Sequence, residues 1–431
     1  MSQAPGWSPG KLAQWSRDAR LRAVSHAFDS VPYYREIYDR AGIDVARLDT
    51  SEAWQLLPTT SKVDIILDAS RFVSRQAERS AVWASTSGST GMQMSILLDS
   101  TVNAAAFALF WRAWSTGGYW RLGQKHAVMK GPSFAGVFRH NWKLRALEVV
   151  SARINTASAG AICDALNQFN PRFMRGYPSS MYLFCQLLRE AGLSLHLPMV
   201  VTGSEMLHEY QRVEFNSFLG ARVINHWTHW ERAGSILECE RGRMHAQEDY
   251  GHHEILDSAG RRVAAGVEGE LTVTSLHNRS MPLIRYRTGD QAVWSAQSCP
   301  CGRSFLVIER IVGRETDALF RTDGGVIPSI GVTALMKEWR GALYAQLVQT
   351  KPGSVEVRVV PAAVPDTSLA KRIQDDLLDL SDGGLSVSVR FCTMDDLVRS
   401  PVGKIRQCFN VIPPAERPSA PGYRKRNLSA A

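Results

Sequence analysis

The sequence lacks the long apolar run of a membrane-spanning helix and the apolar core of a secretory leader. Its most apolar helical stretch, 104–111, lies between Asn103 and Arg112 and is far shorter than the roughly 20 residues of a span. Residues 1–20 carry alternating charges and no apolar segment, so we expect no signal peptide. Cysteine is scarce too: the seven residues form an odd, scattered set, which favours a reducing compartment over a disulfide framework. We therefore expect a cytoplasmic protein with no membrane partner.

Signatures of several other protein classes are also missing. No dense run of Lys and Arg with interleaved aromatic residues occurs, and no zinc-finger or helix-turn-helix pattern. The most basic cluster, 424–426, lies in a tail rich in Pro, Ser and Ala that we expect to be flexible. The net charge of +9 would suit an anionic partner such as ATP or a phosphorylated carrier, but we favour a diffuse positive surface as its explanation, and we expect no nucleic-acid partner. The GxxxxGK[ST] loop and the GxSxG elbow are absent, which argues against a P-loop NTPase and an α/β-hydrolase.

What is present is a globular composition, 45% hydrophobic and 21% charged, in a chain of 431 residues that is too long for one core. Amphipathic helices are predicted over 10–45, interrupted by an extended segment at 31–34. Short strands alternate with helices between 145 and 235, and strands with turns dominate from 254 onwards. Within the second part, we predict separate strands at 283–286 and 292–294 with a Gly turn between them. This order is typical of an α/β fold with a β-rich subdomain.

A second domain is indicated after residue 314. Helices are predicted at 330–339 and 368–380, among strands at 345–349, 354–360 and 386–391. This βαβ-like pattern covers about one hundred residues, the size of a small domain. We predict a large N-terminal domain (1–313), a small mobile α+β lid domain (314–414) and a flexible tail (415–431), with the active site between the two domains.

Four short segments carry the chemistry. The first is a loop with two glycines and four hydroxyls, composed of Thr86, Ser87, Gly88, Ser89, Thr90 and Gly91. Its backbone N–H groups and hydroxyls suit the β- and γ-phosphates of a nucleotide, although a plain Ser/Gly linker is an equal alternative. The second is Asp290, which follows a Gly turn and could accept hydrogen bonds from ribose hydroxyls, unless it only closes an Asx turn.

The third and fourth segments each contribute a cation. Arg314, after Gly313, could also reach the ribose. Lys404 follows Gly403 on a turn, from which its ammonium could stabilise charge on a reacting carboxylate and an α-phosphate. Standing alone, such a surface lysine is more often inert.

Together and in this order, the four segments resemble the adenylate-forming enzymes: acyl-CoA synthetases, nonribosomal adenylation domains and luciferases. The nearest branch is that of phenylacetate–CoA ligase and capsular polysaccharide biosynthesis. Further matching strings lie at 31–34 (VPYY), 57–58 (LP), 175–179 (RGYPS), 202–205 (TGSE), 281–285 (MPLIR) and 299–303 (CPCGR). The resemblance extends from about residue 20 to residue 410, and eight strings in register make it specific.

The resemblance implies a role for each segment. Residues 86–91 would hold the phosphates of ATP, and Asp290 and Arg314 would bind its ribose. Ser204, Glu205, Trp227, Thr228 and His229 would flank the adenine. Glu231 would help to hold Mg2+, and Lys404 would stabilise the charge that develops as the carboxylate attacks the α-phosphorus. The candidates for contact with the acid are Tyr177, Pro178, Ser179, His226 and Trp230, although packing is the simpler explanation for His226.

Two departures from the family pattern bear on specificity. The family string YGxSE reads Trp227-Thr228-His229-Trp230-Glu231 here, so three large rings stand near the expected acyl pocket. We therefore expect an aryl or otherwise flat acid, although core packing would also explain the rings. After Arg314, Thr316 occupies the hinge position of the family, and 321–329 is short and divergent. This divergence casts doubt on CoA as the acceptor but not on adenylation.

Cysteine and histidine spacing predicts a second site. Cys239, His245, Cys299 and Cys301 would supply three sulfurs and one nitrogen, a set suited to structural zinc. Similar ligands occur in the resembling branch, and His252 or His253 could replace His245. Four unrelated reduced side chains are the alternative, since the spacing is no standard finger. The other cysteines, which we expect to be core or surface residues, are Cys163, Cys185, Cys392 and Cys408.

We therefore expect ATP-dependent activation of a carboxylic acid to its acyl-AMP, followed by transfer to a thiol, with coenzyme A as the leading acceptor. A second hypothesis keeps the adenylation and transfers the acyl group to an amine or hydroxyl. A third is that the chain is a non-catalytic nucleotide-binding protein. The retention of Lys404, Glu231 and Asp290 argues against the third. The acid itself and the choice between monomer and homodimer stay open.

Overall fold

The protein is described here from a computed structural model, which covers residues 3–48, 50–85, 94–116, 124–130, 134–314, 319–323, 325–327, 332, 335–336, 338–361, 364, 367–398 and 407–413. The chain forms two compact units, Met1–Gly313 and Arg314–Ala431. The predicted phosphate loop at 86–91 and Lys404 lie outside the described residues.

The first unit begins with a layer of helices: α1 Pro9–Ser30, α2 Pro32–Ala41, α3 Ser51–Gln55 and α4 Lys62–Leu67. The predicted extended segment at 31–34 is wrong except at Val31, because Pro32 occupies the first turn of α2. Proline is tolerated there, since its missing N–H would have no partner inside the helix anyway. The segment is still anchored as a unit: the hydroxyl of buried Tyr34 accepts a hydrogen bond from the backbone N–H of Ile284.

The strands of the first unit alternate with the remaining helices. A hairpin is formed by β1 Val82–Ser85 and β2 Ser95–Leu98. The central strands are β3 His126–Lys130, β4 Phe138–Asn141, β5 Ala146–Val150, β6 Met174–Gly176, β7 Met199–Gly203 and β8 Arg222–Thr228. The later strands are β9 Ser235–Glu238, β10 Met244–Ala246, β11 Gly251–Leu256, β12 Glu268–Ser275, β13 Tyr286–Trp294 and β14 Val307–Arg314. The helices among them are α5 Ser100–Thr116, α6 Thr156–Phe169, α7 Pro178–Glu190 and α8 Glu209–Phe218.

Strands β3 to β14 make one mixed sheet in the order β11-β12-β13-β14-β10-β9-β8-β7-β6-β3-β5-β4. The run β5-β3-β6-β7-β8 is parallel, and β9 pairs antiparallel with β8. Helix α5 covers this parallel part, where Phe110, Ala113 and Trp114 pack on Val201 and Ile224. In open sheets of this kind, ligands bind at the carboxyl ends of the parallel strands. That edge carries Gly176, Gly203 and the residues after β8.

The segment around Asp290 differs from the prediction. Residues 283–285 form no strand, and Tyr286–Trp294 is one continuous strand, so Asp290 lies within β13 and not at a strand end. Gly289 has a φ of 78°, and the register of β13 against β12 shifts there. A left-handed residue of this kind is typical of a β-bulge, which re-aims the neighbouring side chains. The predicted Gly turn is therefore a bulge inside a strand.

A buried ion pair holds β13 to the helical layer. Arg285, just before β13, pairs with Glu254 of β11 at 3.1 Å, and both side chains are 1% exposed. The guanidinium also donates to the backbone carbonyls of Gln55, Leu57 and Gly260. The LP string and the MPLIR string are thus joined through one side chain.

Replacing Arg285 by methionine is expected to destabilise the first unit by about 3–5 kcal/mol, because Glu254 would stay buried without its partner. Urea unfolding at neutral pH measures the change. The matched control is Arg261→Met, whose ion pair with Asp257 lies at the surface and is worth at most about 1 kcal/mol. Equal losses in the two variants would show that the buried pair has no special weight.

The second unit is a small βαβ structure. It contains β15 Leu319–Phe320, β16 Val326–Ile327, β17 Ala342–Lys351, β18 Ser354–Pro361, α9 Thr367–Leu380, β19 Ser386–Phe391 and β20 Cys408–Asn410. Its main sheet has the order β19-β18-β17-β20, and β18 and β19 are parallel because α9 connects them. Of the predicted helix at 330–339, the described residues 332, 335 and 336 are helical and 338–339 are not. No helix in the described ranges is both long and apolar enough to cross a bilayer.

Candidate functional site

Two of the family-like strings meet at the carboxyl ends of β6 and β7. Gly176 ends β6, where a Cβ atom would lie 2.8 Å from the Cβ of Met129 on β3, so only glycine fits. The chain then enters α7 at Pro178, and the backbone N–H of Ser179 donates to Glu205 Oε2 at 3.1 Å. The Glu205 carboxylate therefore caps the N-terminus of α7, which stabilises that end of the helix. RGYPS and TGSE thus form one corner.

Glu231 is the centre of a buried polar cluster after β8. Its Oε2 lies 3.0 Å from His229 Nδ1, and its Oε1 accepts from the Tyr286 hydroxyl at 3.2 Å. The backbone N–H of Gly234 donates to His229 Nε2 at 2.9 Å. Since Nε2 is an acceptor, the proton of neutral His229 lies on Nδ1 and points to Glu231. The carboxylate is thereby oriented by two donors and is only 8% exposed.

Asp290 of β13 accepts a hydrogen bond from a side chain of β8. The indole Nε1 of Trp227 donates to Asp290 Oδ2 at 3.2 Å, and the Asp290 backbone N–H donates to the Thr288 hydroxyl. Trp227 also packs against His229, with ring centroids 5.2 Å apart. A carboxylate has about four lone-pair sites on its two oxygens, so it can accept several hydrogen bonds, as binding of two ribose hydroxyls requires. Asp290 and Glu231 are therefore connected through the packed rings of Trp227 and His229.

The opposite face of β8 is aromatic and low in charge. His226 is buried, its Nε2 lies 2.8 Å from Ser235 Oγ, and its ring meets Phe110 of α5 edge-on at 5.5 Å. Burial lowers the pKa of His226 to about 4, with a smaller contribution from the Arg175 guanidinium. Burial lowers the pKa of His126 to about 4 in the same way, and that of His253 to about 3. All three imidazoles are therefore neutral at physiological pH.

These buried histidines predict a pH dependence of stability. Below about pH 6.5 the unfolded chain binds protons that the folded protein excludes, so stability falls as pH drops towards the folded pKa values, by about 1.4 kcal/mol per pH unit for each histidine. The variant His226→Gln should therefore lose less stability than the wild type between pH 6.5 and 5.5, by about 1 kcal/mol, because the unfolded histidine is already half protonated at pH 6.5. Urea unfolding at the two pH values measures this, with exposed His140→Gln as control. An unchanged difference in the His226 variant would contradict it.

The remaining predicted site residues are placed as follows. Pro178 is the first residue of α7, and Tyr177 directly precedes it. Ser204 follows β7 with a φ of 66°, a left-handed backbone that is costly for a residue with a side chain and marks strain at this corner. Trp230 is 53% exposed and packs on no other aromatic ring in the part of the chain that the structure describes. Arg314 is the last residue of β14.

The four predicted zinc ligands come together. The ligand atoms of Cys239, His245, Cys299 and Cys301 all lie within 4.8 Å of one another. Cys239 directly follows β9, and His245 lies on β10. Cys299 and Cys301 precede β14, which pairs with β10. All seven cysteines of the chain are described, and all are free thiols. The cluster is therefore not a disulfide.

The distances in this cluster match tetrahedral coordination. Zinc–sulfur bonds of about 2.3 Å and zinc–nitrogen bonds of about 2.0 Å imply ligand separations of about 3.8 Å (S–S) and about 3.5 Å (S–N). The observed values are 3.7 Å for Cys239 Sγ to Cys299 Sγ and 3.4 Å for Cys301 Sγ to His245 Nε2. His245 Nδ1 lies 3.1 Å from the Phe305 carbonyl, to which it can donate. That second bond leaves the Nε2 lone pair for a metal. The residues present fit a zinc ion.

The chain is similar to known proteins over most of its length. No family model matches the chain. It is 25% identical over 356 residues to a phenylacetate-coenzyme A ligase of Thermus thermophilus, with 80% of each chain covered. It is 21% identical over 401 residues to the protein CapK of Staphylococcus aureus, with 88% of this chain and 85% of that one covered. The solved structure of 2-hydroxyisobutyryl-CoA ligase in complex with 2-HIB-AMP, in the postadenylation state, matches with a TM-score of 0.74 at 19% identity, over 92% of this chain and 88% of that one.

The chain has the fold of an adenylate-forming CoA ligase. The resemblance inferred from the short strings is confirmed, and so is the predicted α/β fold class. Within this ligase fold, the described part of the chain places Glu231, His229, Trp227 and Asp290 side by side.

Three further residues near this polar cluster received no role from the sequence. The Tyr286 hydroxyl donates to Glu231 Oε1. His253 Nε2 accepts a hydrogen bond from the backbone N–H of Ser235. Arg175 lies between the sheet and α5. Only the string RGYPS could have drawn attention to Arg175, and it says nothing of the rings around the guanidinium.

Proposed function

We propose that this protein activates a carboxylic acid with ATP as its acyl-AMP and then transfers the acyl group to the thiol of coenzyme A. The main support is the convergence of Glu231 and Asp290, each oriented by hydrogen bonds from β8, β13 or their flanks, in a fold shared with CoA ligases. The relative from Thermus thermophilus, a phenylacetate-coenzyme A ligase, supports an acid–thiol ligase activity.

In the first half-reaction, a carboxylate oxygen of the acid attacks the α-phosphorus of ATP. A P–O bond to the acid forms, the bond to the bridging oxygen breaks, and pyrophosphate leaves. Asp290 and Arg314 bind the ribose, and Ser204, Glu205, Trp227, Thr228 and His229 flank the adenine. Lys404 and the loop 86–91 stabilise charge on the phosphates, as the resemblance implies. Glu231 would help to hold Mg2+, which would supply charge neutralisation for the leaving pyrophosphate.

In the second half-reaction, the sulfur of coenzyme A attacks the acyl carbon, and AMP leaves. The acid lies against Tyr177, Pro178, Ser179, His226 and Trp230. Residues 1–313 would serve as the adenylation domain, and residues 314–414 as the lid domain that carries Lys404. Catalysis in this scheme is positioning and electrostatics, with no covalent enzyme intermediate.

Acid-dependent ATP–pyrophosphate exchange tests the first half-reaction directly. We expect exchange with at least one acid from a panel of aryl, short and long-chain acids, and its loss in Lys404→Ala. The matched control is Lys371→Ala, an exposed lysine of α9 in the same unit. Exchange that survives in Lys404→Ala would refute the assigned role of this lysine, and exchange with long-chain acids alone would refute a flat acyl pocket.

The acceptor is tested separately, by measuring AMP release with coenzyme A and with amine or hydroxyl acceptors. We expect release to rise with coenzyme A. A rise only with amines or hydroxyls would keep adenylation and replace the second half-reaction by amide or ester synthesis. Silence in both assays, with ATP still bound, would favour a non-catalytic nucleotide-binding protein.

We further propose that Cys239, His245, Cys299 and Cys301 hold a structural zinc ion. The support is the match of donor types and separations to a tetrahedral site, together with the Phe305 carbonyl that orients His245. A closed set of four protein ligands leaves no position for substrate, so the zinc would stabilise the fold between β9–β10 and the start of β14.

A further inference from the structure

Arg175 is a cation that forms no ion pair with any carboxylate in the described part of the chain. Its guanidinium lies over two rings of α5, 5.6 Å from the centroid of Phe110 and 5.9 Å from that of Trp114. Its Nε is buried and has no hydrogen-bond partner, and no carboxylate of the described residues forms an ion pair with it. Glu148 acts on Arg175 from a distance, but its oxygens are bound by Lys130, Arg139 and Asn141. Burial lowers the pKa of the guanidinium, so the charge is poorly solvated.

An unpaired charge in such surroundings is costly. Cation–π contacts return about 0.5–2 kcal/mol each, whereas the desolvation of an unpaired ion costs several kcal/mol. Proteins therefore keep buried charges mainly where a partner or a ligand pairs with them, and groups perturbed in this way cluster at functional sites. Arg175 as a whole residue is half-buried, so it is not completely enclosed by the described residues.

The position of Arg175 connects it to the proposed acyl site. It precedes Gly176 and the corner at which Ser179 contacts Glu205. The Arg175 charge contributes to lowering the pKa of His226. The next residue along β8, Trp227, donates a hydrogen bond to Asp290. Further rings pack against Phe110 and Trp114, the two α5 residues that contact the guanidinium, or against each other: His226, Phe173 and His126. The group therefore lies at the carboxyl ends of the parallel strands, on the face of the sheet opposite to the Trp227–Asp290 contact.

We propose that Arg175 selects acids that carry a second carboxylate, so that the substrate of this protein is a compact, flat dicarboxylic acid. One carboxylate is adenylated, and the other stays ionised and pairs with the guanidinium while the rings contact the flat body of the acid. This inference rests on the proposed adenylation and names the class of acid within it. An aromatic cage that only packs the arginine is the alternative, and the experiment separates the two.

The experiment compares ATP–pyrophosphate exchange on matched acids, benzoate against isophthalate and phenylacetate against 4-carboxyphenylacetate. In the wild type, kcat/KM for the diacid should exceed that for the monoacid about 10- to 100-fold, the range of a hydrogen bond between charged groups. Arg175→Met, which keeps the aliphatic stem, should remove this preference chiefly by raising KM for the diacid. Exchange with the monoacid should stay within about threefold of the wild type, since it makes no use of the charge.

Two further variants guard against a folding effect. Arg175→Lys keeps the charge and should retain part of the preference, and Arg172→Met, an exposed arginine beside β6, should retain all of it. Calorimetric titration with isophthalate and no ATP gives a readout independent of turnover: the wild type should bind, and Arg175→Met should bind about tenfold more weakly or worse.

The outcomes are distinct. Exchange with monoacids in preference to diacids overturns the role of Arg175 and leaves the proposed adenylation intact. An equal loss with both acids in Arg175→Met, with a lowered thermal midpoint, assigns the arginine a structural role and also overturns the inference. Absence of exchange with every acid, while Lys404→Ala behaves like the wild type, overturns the proposed function itself.

Discussion

Replacing Glu231 by glutamine is expected to lower acid-dependent ATP–pyrophosphate exchange about 100- to 1000-fold, the usual effect of removing one pre-organised electrostatic group. Glutamine keeps the shape of the side chain but removes the negative charge that would bind Mg2+. The loss should lie mainly in kcat, and the residual exchange should need a higher Mg2+ concentration. Exchange rates over a Mg2+ titration, in wild type and variant, measure both effects.

Two controls make this result specific to the carboxylate. Tyr286→Phe removes the hydrogen bond from the Tyr286 hydroxyl to Glu231 and should cost less than about tenfold, because the charge remains. Glu309→Gln makes the same chemical change on an exposed residue of β14 and should leave exchange unaltered. If Glu231→Gln exchanged at the wild-type rate, the metal-binding role of Glu231 would be wrong, whatever the status of the fold.

Removing one ligand of the Cys/His cluster is expected to have the largest effect on stability. Cys301→Ala should release the zinc and lower the thermal midpoint by at least about 10 °C, because the binding energy of a structural zinc ion is also folding energy. Purified protein should contain one zinc per chain, and a strong chelator should reproduce the shift in the wild type. Elemental analysis and thermal unfolding measure the two quantities.

The matched control for the zinc prediction is Cys163→Ala. Cys163 is a buried free thiol of the same unit, on α6, away from the cluster. This variant should keep its zinc, and its thermal midpoint should fall by only a few degrees, as expected for a small change in a core. Wild-type protein without zinc, or a Cys301→Ala variant that keeps it, would contradict the proposed site.

The Cys/His cluster could be predicted only in part from the sequence. The ligand types could be recognised from the sequence, because three cysteines and a histidine near turns are a zinc-like set. Their proximity could not be calculated from spacing, since it depends on the pairing of Met244 with Ile308, two residues far apart in the chain. The ligand types and their spacing, together with similar ligands in the resembling branch, made the site an expectation, and the strand pairing brings the four residues together.

At the polar site, residue identities were easier to predict than local structure. Asp290 was predicted to follow a turn and to bind ribose; the structure places it in a bulged strand, and its ribose-binding role stays a prediction. Glycine with a positive φ occurs in both settings, so the sequence alone cannot separate them. The segment at 31–34 was predicted as extended for a similar reason: Pro32 stops one helix and starts the next.

The unpaired state of Arg175 had no counterpart in the sequence. A lone arginine before glycine is usually a solvated residue, and only tertiary packing places Phe110 and Trp114 against its guanidinium. Polar groups that break the ordinary rules of burial become visible only when the surrounding rings are known. Such exceptions are the places where function is most often found.

Strand β8 has a consequence for how this protein could change over evolutionary time. His226 contacts α5, and Trp227, the next residue, contacts Asp290 on the other face of the sheet. Neighbouring residues of a strand point to opposite faces. Mutations in the α5 layer can therefore alter the preference for one acid over another, while the groups assigned to the nucleotide keep their own neighbours. Under the proposed function, related proteins could therefore differ in the acid that they accept while the groups assigned to the nucleotide stay the same.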